Sequence, residues 1–158
     1  MIVENKKVRN AQPLEYNNIQ FKSKLEVTSY KLLQAAGFNP EYEQHTFHLW
    51  EGKKFSVPCY DLHKDRKLHK EVWGLNTYKP VKVRYTPDFV CYVPDATGIQ
   101  RMIVVEAKGK QNDVYPYKKK LFREWLEENA PHSMFFEIHN QKQLKEAIEI
   151  IKNVKFIQ

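Results

Sequence analysis

Two segments rich in β-branched and aromatic residues, VKVRYTPDFVCYV (81–93) and IQRMIVVEAK (99–108), flank the short turn sequence PDATG. Such segments favour strands, and a Pro-Asp…Gly turn between them favours an antiparallel hairpin, so this stretch commits the chain to a sheet. The expected pairing sets residues 85–93 against 100–108, with Pro87 interrupting the first strand because it has no N–H to give the ladder. The run Met102, Ile103, Val104, Val105 reads as a core strand, yet it ends in Glu106 and Lys108. Side chains alternate along a strand, so these two share one face while Val105 and Ala107 take the other. Asp88 on the neighbouring strand is expected near the same end.

Two carboxylates about 4 Å apart repel by roughly 4 kcal/mol at an effective dielectric of 20. A divalent cation relieves that conflict, and carboxylate oxygens are the hard ligands that Mg²⁺ or Mn²⁺ takes. A lysine beside them can hold or deprotonate a water, or stabilise charge developing on phosphate oxygens. The plainer reading also stands: Pro-Asp is a common turn dipeptide, and Glu-x-Lys on an exposed strand is an ion pair worth under about 1 kcal/mol.

Around the hairpin, SKLEVTSYKLLQAAG predicts a helix that starts at Ser23, carries Glu26 three residues on, places Leu25, Leu32, Leu33 and Ala36 on its apolar side and stops at Gly37. A strand is expected from about Tyr42 to Leu49. Residues 50–80 lack a sustained period and read as a long excursion. Tyr117, Leu121, Phe122, Trp125 and Leu126 recur at helical spacing and Pro131 closes that helix. SMFFEIH predicts a strand, and NQKQLKEAIEIIKN a helix with Leu144, Ala147, Ile148 and Ile151 inward. The expected organisation is a flexible N-terminal arm (1–20) followed by a single domain (21–158) with a basic insertion at about 50–80, of α/β class.

The 158 residues carry a net charge of +7. Lys and Arg exceed Asp and Glu by nine to four in residues 51–86, against six to five before and eleven to ten after. A second basic cluster, Lys108, Lys110, Lys118, Lys119, Lys120 and Arg123, faces Asp113 alone within 108–123. Patches of this kind suit a polyanion, because each neutralised phosphate releases counterions; a solvated basic surface is the simpler alternative. No apolar run approaches the roughly 20 residues of a membrane span, and two cysteines do not make a disulfide scaffold, so an intracellular protein is expected. Cys59, His63 and His69, with Cys91, offer zinc-ligand atoms, although their spacing fits no compact finger and Cys91 suits a core position. No Walker loop or dinucleotide-binding turn is present, so no nucleotide cofactor is expected.

Pro87-Asp88, seventeen residues, then Glu106-Ala107-Lys108 resembles the motif of the PD-(D/E)XK nuclease superfamily. Upstream, FKSKLEVTSYKLLQAAGFNPEYE is similar to the helix, glycine stop and following strand of the phage endonuclease I family of Holliday-junction resolvases. The KKKLF that follows EAKG also resembles small phage-encoded relatives. The likeness covers about Phe21 to Trp125 apart from residues 50–80. It implies a mixed central sheet flanked by helices, a restriction-endonuclease-like αβββαβ core. It further implies a Mg²⁺-dependent endodeoxyribonuclease, with Mn²⁺ substituting, acting on branched DNA in a host cytoplasm. By the same resemblance Asp88 and Glu106 are metal ligands, helped by the Ala107 carbonyl, and Lys108 is the catalytic lysine. Glu26 joins the metal and water network, although Ser23 and Glu26 also make a capping box. Lys24, Lys67, Lys70, Lys110, Lys118, Lys119, Lys120 and Arg123 would contact DNA, and paired incisions imply a homodimer. The alternatives are an endonuclease on nicked or linear duplex in transposition, packaging or recombination, or a DNA-binding module that has lost turnover. The excursion at 50–80 is longer than that family's connection, which leaves open whether the dimer is domain-swapped.

Overall fold

The computed structural model describes residues 13–77, 80–95, 97–109 and 113–153. In chain order its elements are β1 (Leu14–Tyr16), β2 (Ile19–Phe21), α1 (Lys24–Ala35), β3 (Glu41–Tyr42), β4 (Phe47–Trp50), β5 (Tyr60–Asp65), β6 (Lys70–Leu75), β7 (Val83–Tyr85), β8 (Phe89–Pro94), β9 (Gln100–Ala107), α2 (Tyr115–Asn129), β10 (Met134–Ile138) and α3 (Gln141–Asn153). The class is mixed α/β, as the sequence predicts, with three helices and several sheets.

A four-stranded sheet in the order β10-β9-β8-β3 forms the centre. β8 and β9 are antiparallel, as expected, but their register is Phe89↔Val105 through Pro94↔Gln100, one residue away from the expected alignment. The difference has consequences, because a one-residue slip turns every side chain to the other face. The observed register, continued by one residue, sets Asp88 opposite Glu106. Asp95 fixes the connecting turn: its Oδ1 accepts from the N–H groups of Thr97 (2.8 Å) and Ile99 (3.0 Å), while Oδ2 accepts from Arg101 Nε at 2.7 Å. β9 runs on through α2 into β10, which pairs with it in parallel.

Pro87 divides the expected long first strand. Before it, β7 leaves the central sheet and pairs with β4; after it, β8 joins β9. The predicted strand at 42–49 is likewise split, Tyr42 pairing with Phe89 in the central sheet and Phe47–Trp50 with β7.

Helices cover both faces of the sheet. On one, Phe89, Cys91, Ile103, Val105 and Ala107 pack with Tyr30 and Leu33 of α1 and with Leu144, Ile148 and Ile151 of α3. On the other, Val90 and Val104 pack with Tyr85 and with Tyr115, Phe122 and Leu126 of α2. Alternation along β8 and β9 therefore feeds two cores, which is why the strands read as continuous apolar runs. Each fully buried side chain contributes on the order of 1.5–3 kcal/mol.

Helix α1 begins as predicted: Ser23 Oγ accepts from the Glu26 N–H at 3.2 Å, and Gly37, at φ +88°, ends it in the left-handed conformation glycine tolerates. Its buried stripe is Glu26, Ser29, Tyr30 and Leu33, more polar than the expected Leu25, Leu32, Leu33 and Ala36. In α2 the stripe starts at Tyr115 and excludes Tyr117, which is 69% exposed; Tyr115 lies seven residues before Phe122, close to two whole turns, and Tyr117 does not. The inward positions of α3 are those expected.

Two further hairpins lie where irregular chain was expected. Leu14–Phe21, inside the segment read as an arm, forms the β1–β2 hairpin, whose Tyr16, Ile19 and Phe21 join the α1 side of the core. Tyr60–Leu75, inside the excursion, forms the β5–β6 hairpin. No helix among the described residues is long and apolar enough to cross a membrane.

Candidate functional site

Glu106 is only 3% exposed. A carboxylate at that depth must be hydrogen-bonded, and the register supplies its partners. Glu106 Oε2 accepts from the Tyr85 hydroxyl at 2.7 Å and from the Asp88 N–H at 3.2 Å; Oε1 pairs with Lys108 Nζ at 2.5 Å. Asp88 Oδ2 in turn accepts from the Ala107 N–H at 2.7 Å. Backbone and side chain are thus exchanged across the ends of β8 and β9, locking Asp88 against the Glu106-Ala107-Lys108 segment.

Burial, followed by the neighbouring charge of Glu106, pushes the Asp88 carboxyl up to about 8. The Ala107 N–H acts the other way but is outweighed. Burial and then Glu106 hold the Tyr85 hydroxyl well above its ordinary value, so it stays a donor to the carboxylate. Lys108 Nζ also lies 4.3 Å from the centre of the Tyr115 ring, a cation–π contact that fixes the ammonium from a second side.

Beside this pair, β10 repeats the pattern. In the parallel register Glu137 lies beside Glu106. Its Oε2 accepts from the Tyr115 hydroxyl at 2.8 Å and from Lys119 Nζ at 2.7 Å, and Oε1 lies 3.2 Å from His139 Nε2. His139 Nδ1 is 2.8 Å from the Lys108 carbonyl oxygen, and the Lys108 N–H donates to the Ile138 carbonyl. Two adjacent strands therefore end in Glu-x-Lys and Glu-x-His, tied together through Tyr115 and the Lys108 backbone.

A cleft of about 480 Å³ opens over the site, lined by Lys22, Arg84, Lys108 and Lys118 together with Glu43, Tyr85, Glu106 and Tyr115. Its four cations outnumber its two acids, with Lys22 paired to Glu43 and Lys108 to Glu106. A larger groove of about 590 Å³, lined by Lys119, Arg123 and Glu137 among others, runs between α2 and β10.

The structure brings Asp88, Glu106, Ala107 and Lys108 together as the sequence anticipates. Glu26 is buried and its charge is felt at Asp88. Its oxygens, however, accept from the Lys22 N–H (2.8 Å), the Tyr42 hydroxyl (2.6 Å) and Ser23 Oγ (2.9 Å), so the carboxylate serves the start of α1. Among the expected DNA contacts, Lys118 lines the cleft, Lys119 is bound to Glu137, and Lys120 and Arg123 lie on α2. Lys24 is exposed at the start of α1 and does not line the cleft; Lys22 does. Lys67 and Lys70 sit on the β5–β6 hairpin, and Lys110 lies outside the described residues.

The zinc reading fails. Cys91 is buried in β8, with burial pushing its thiol up to about 12, whereas Cys59 is exposed beside β5. Among the described residues no group of three or more His, Cys, Asp or Glu side chains is gathered to hold a metal ion; Asp88 and Glu106 are neighbours, joined through the Asp88 N–H. Tyr85, Tyr115, Glu137, His139, Lys22 and Arg84 are not singled out by the sequence. The signal for Glu137 and His139 is period-two spacing at the end of SMFFEIH, which has no meaning until β10 is known to lie beside β9.

A family model described as "Protein of unknown function (DUF1064)" matches residues 6–148. The chain belongs to the DUF1064 family. Its match takes in every residue of the site, from Lys22 to His139. No curated protein and no solved structure matches the chain.

Proposed function

We propose that this DUF1064 protein is a divalent-metal-dependent DNA endonuclease of the PD-(D/E)XK type, with a restriction-endonuclease-like core, acting on branched DNA. The observation that carries the reading is the pairing of half-buried Asp88 with buried Glu106 and Lys108, the last two lining a cleft that Lys22, Arg84 and Lys118 also line.

The donor set fits a hard cation. Asp88, half-buried, and Glu106, buried, offer only oxygen ligands, and burial first and then the Glu106 charge raise the Asp88 carboxyl, a penalty on the anion that a proton or a cation relieves. Asp88, Glu106 and the Ala107 carbonyl would hold Mg²⁺ or Mn²⁺. When bound, such an ion supplies positive charge beside the phosphate and acidifies water. The chain's own groups do the rest. Tyr85 and the Asp88 N–H fix the Glu106 carboxylate, while Tyr115 and Glu106 aim the Lys108 ammonium at the cleft, where it orients the attacking water or stabilises charge on a phosphate oxygen. Lys22, Arg84 and Lys118 hold neighbouring phosphates without reading bases.

Resolution of a four-way junction requires two symmetric incisions, which favours a homodimer. The experiment compares four-way junction, nicked and linear DNA with Mg²⁺, Mn²⁺ or Ca²⁺, beside Asp88→Ala and Lys108→Ala. Junction cleavage by the parent protein alone, with Mg²⁺ or Mn²⁺, is expected. If no substrate is cut while the parent and both variants bind DNA equally, the protein is a binding module; if linear duplex is cut as fast as junctions, the branch-specific reading fails.

A further inference from the structure

The β5–β6 hairpin pairs only with itself among the described residues, Tyr60↔Leu75 through Asp65↔Lys70. A free two-stranded ribbon is marginal in water, so what covers its faces matters. On one face the His63 ring fills the space over Gly74, where an added Cβ would collide with it, and Asp61, His63 and Lys70 there are exposed. The other is open. The register puts Tyr60, Leu62, Trp73 and Leu75 together on it, with Lys64 and Glu71 next toward the tip. Trp73 is 68% exposed, and the other three apolar side chains are each at least half exposed.

Of the ribbon's cations, Lys64 lies on this face opposite Glu71, Lys70 pairs with Asp65 on the His63 side, and Arg66 and Lys67 lie in the turn. Between residues 53 and 75 six positive side chains (Lys53, Lys54, Lys64, Arg66, Lys67, Lys70) stand against Asp61, Asp65 and Glu71. Asp65 Oδ1 accepts from the N–H groups of Lys67 (2.8 Å) and Leu68 (3.0 Å), which holds the tip so that Arg66, Lys67 and Lys70 project into solvent. At the base, Phe55 stacks on Trp50 with Lys53 above it. Two such ribbons facing each other would oppose like charges, whereas a polyanion complements them. Aromatic rings interleaved with cations are the chemistry that takes unpaired bases, each ring stacking a base while lysines follow the phosphates.

We infer that the β5–β6 ribbon is a binding platform for unstacked nucleotides, with Trp73 and Tyr60 as the stacking rings, Lys64 beside them, and Lys67 and Lys70 reaching the backbone from the tip. The inference rests on the DNA-binding part of the proposed function and concerns a surface separate from the cleavage site. A strand opened at a branch point is the occupant this surface suits.

The test uses the full-length chain carrying Asp88→Asn, in EDTA, so that no cleavage intervenes. Oligo-dT and a blunt duplex of equal length are titrated while tryptophan emission is followed. Oligo-dT quenches the emission; Trp73→Ala removes most of the quench and weakens oligo-dT binding about tenfold, Trp73→Phe restores most of the affinity, and duplex binding changes less than about twofold. Lys67→Glu with Lys70→Glu weakens both ligands. Unchanged oligo-dT affinity in Trp73→Ala overturns the inference. So does a change in molar mass of that variant by light scattering with oligo-dT affinity intact, which makes the open face an interface between copies of the chain. Because metal and turnover are absent, failure of the cleavage assay leaves this result standing, and the converse holds.

Discussion

The hairpins β8–β9 and β5–β6 are built alike, each an antiparallel ladder of six register pairs closed by a short turn around an aspartate. One is sealed on both faces by α1, α3 and α2 and carries Asp88, Glu106 and Lys108 at the far end from the turn, which the Asp95–Arg101 pair closes. The other carries its cations at the turn and leaves Trp73 in solvent. The ladder is therefore neutral about function. Two-sided burial makes the first a rigid holder for its acids, and the lack of burial leaves the apolar and basic side chains of the second open to solvent.

That contrast can be broken at several points. Asp88→Ala or Lys108→Ala should lower the cutting rate by about a thousandfold with binding retained. Lys67→Ala or Lys70→Ala should act through affinity instead, flattening the slope of log affinity against log salt by roughly 0.9 for each phosphate the protein no longer neutralises. Equal losses of rate from both sets would show that the two hairpins are not separate in function. Phe89→Ala, at a fully buried position, should cost about 3–5 kcal/mol in urea unfolding, and Leu62→Ala on the ribbon less than about 0.5 kcal/mol.

The acid pair also makes a pH prediction. The Asp88 carboxyl lies at about 8 in the fold and near its ordinary 3.8 when unfolded. Below the lower value both states hold the proton; between the two values only the folded state does, so metal-free stability falls as pH rises toward 8 and levels off above it. Calorimetry should show Tm dropping between about pH 5 and 8, and Mg²⁺ raising it more at the upper end of that range than at the lower; a pH-independent Mg²⁺ effect would place the ion elsewhere. Glu137→Gln or Tyr115→Phe, which weaken the hydroxyl–carboxylate bond anchoring the ring over Lys108, should reduce kcat about tenfold with little change in KM. A rise in KM instead would move Glu137 from positioning to substrate binding. Smallest is Glu26→Gln: as a helix-start residue alone it should cost about 1 kcal/mol of stability with cutting unchanged, and a tenfold loss of cutting would return it to the catalytic set.

Much of the site is legible in the sequence because its residues are local. Asp88 and the Glu106-Ala107-Lys108 segment lie on two strands joined by a short turn, so strand periodicity and hairpin logic bring them together. Glu137 and His139 come from a strand that reaches β9 only after α2, and no spacing rule spans that distance. The hairpins within the arm and the excursion escape sequence reasoning for another cause. β1 and β2 are three residues each, β5 has only Tyr60 and Leu62 before the polar run His63-Lys64-Asp65, and β6 sets Val72 and Trp73 side by side, so neither hairpin sustains the alternation by which strands are recognised.

By itself, the sequence determined the helices, the strand ends that carry acid and lysine, and the interruption at Pro87, since each depends on neighbours a few residues away. Tertiary structure alone decided the register that sets Asp88 opposite Glu106 rather than Val105, and the parallel pairing that places Glu137 beside them. It also decided which hairpin is buried. These outcomes follow from which faces find a helix to pack against, and that competition is settled only when the whole chain folds together.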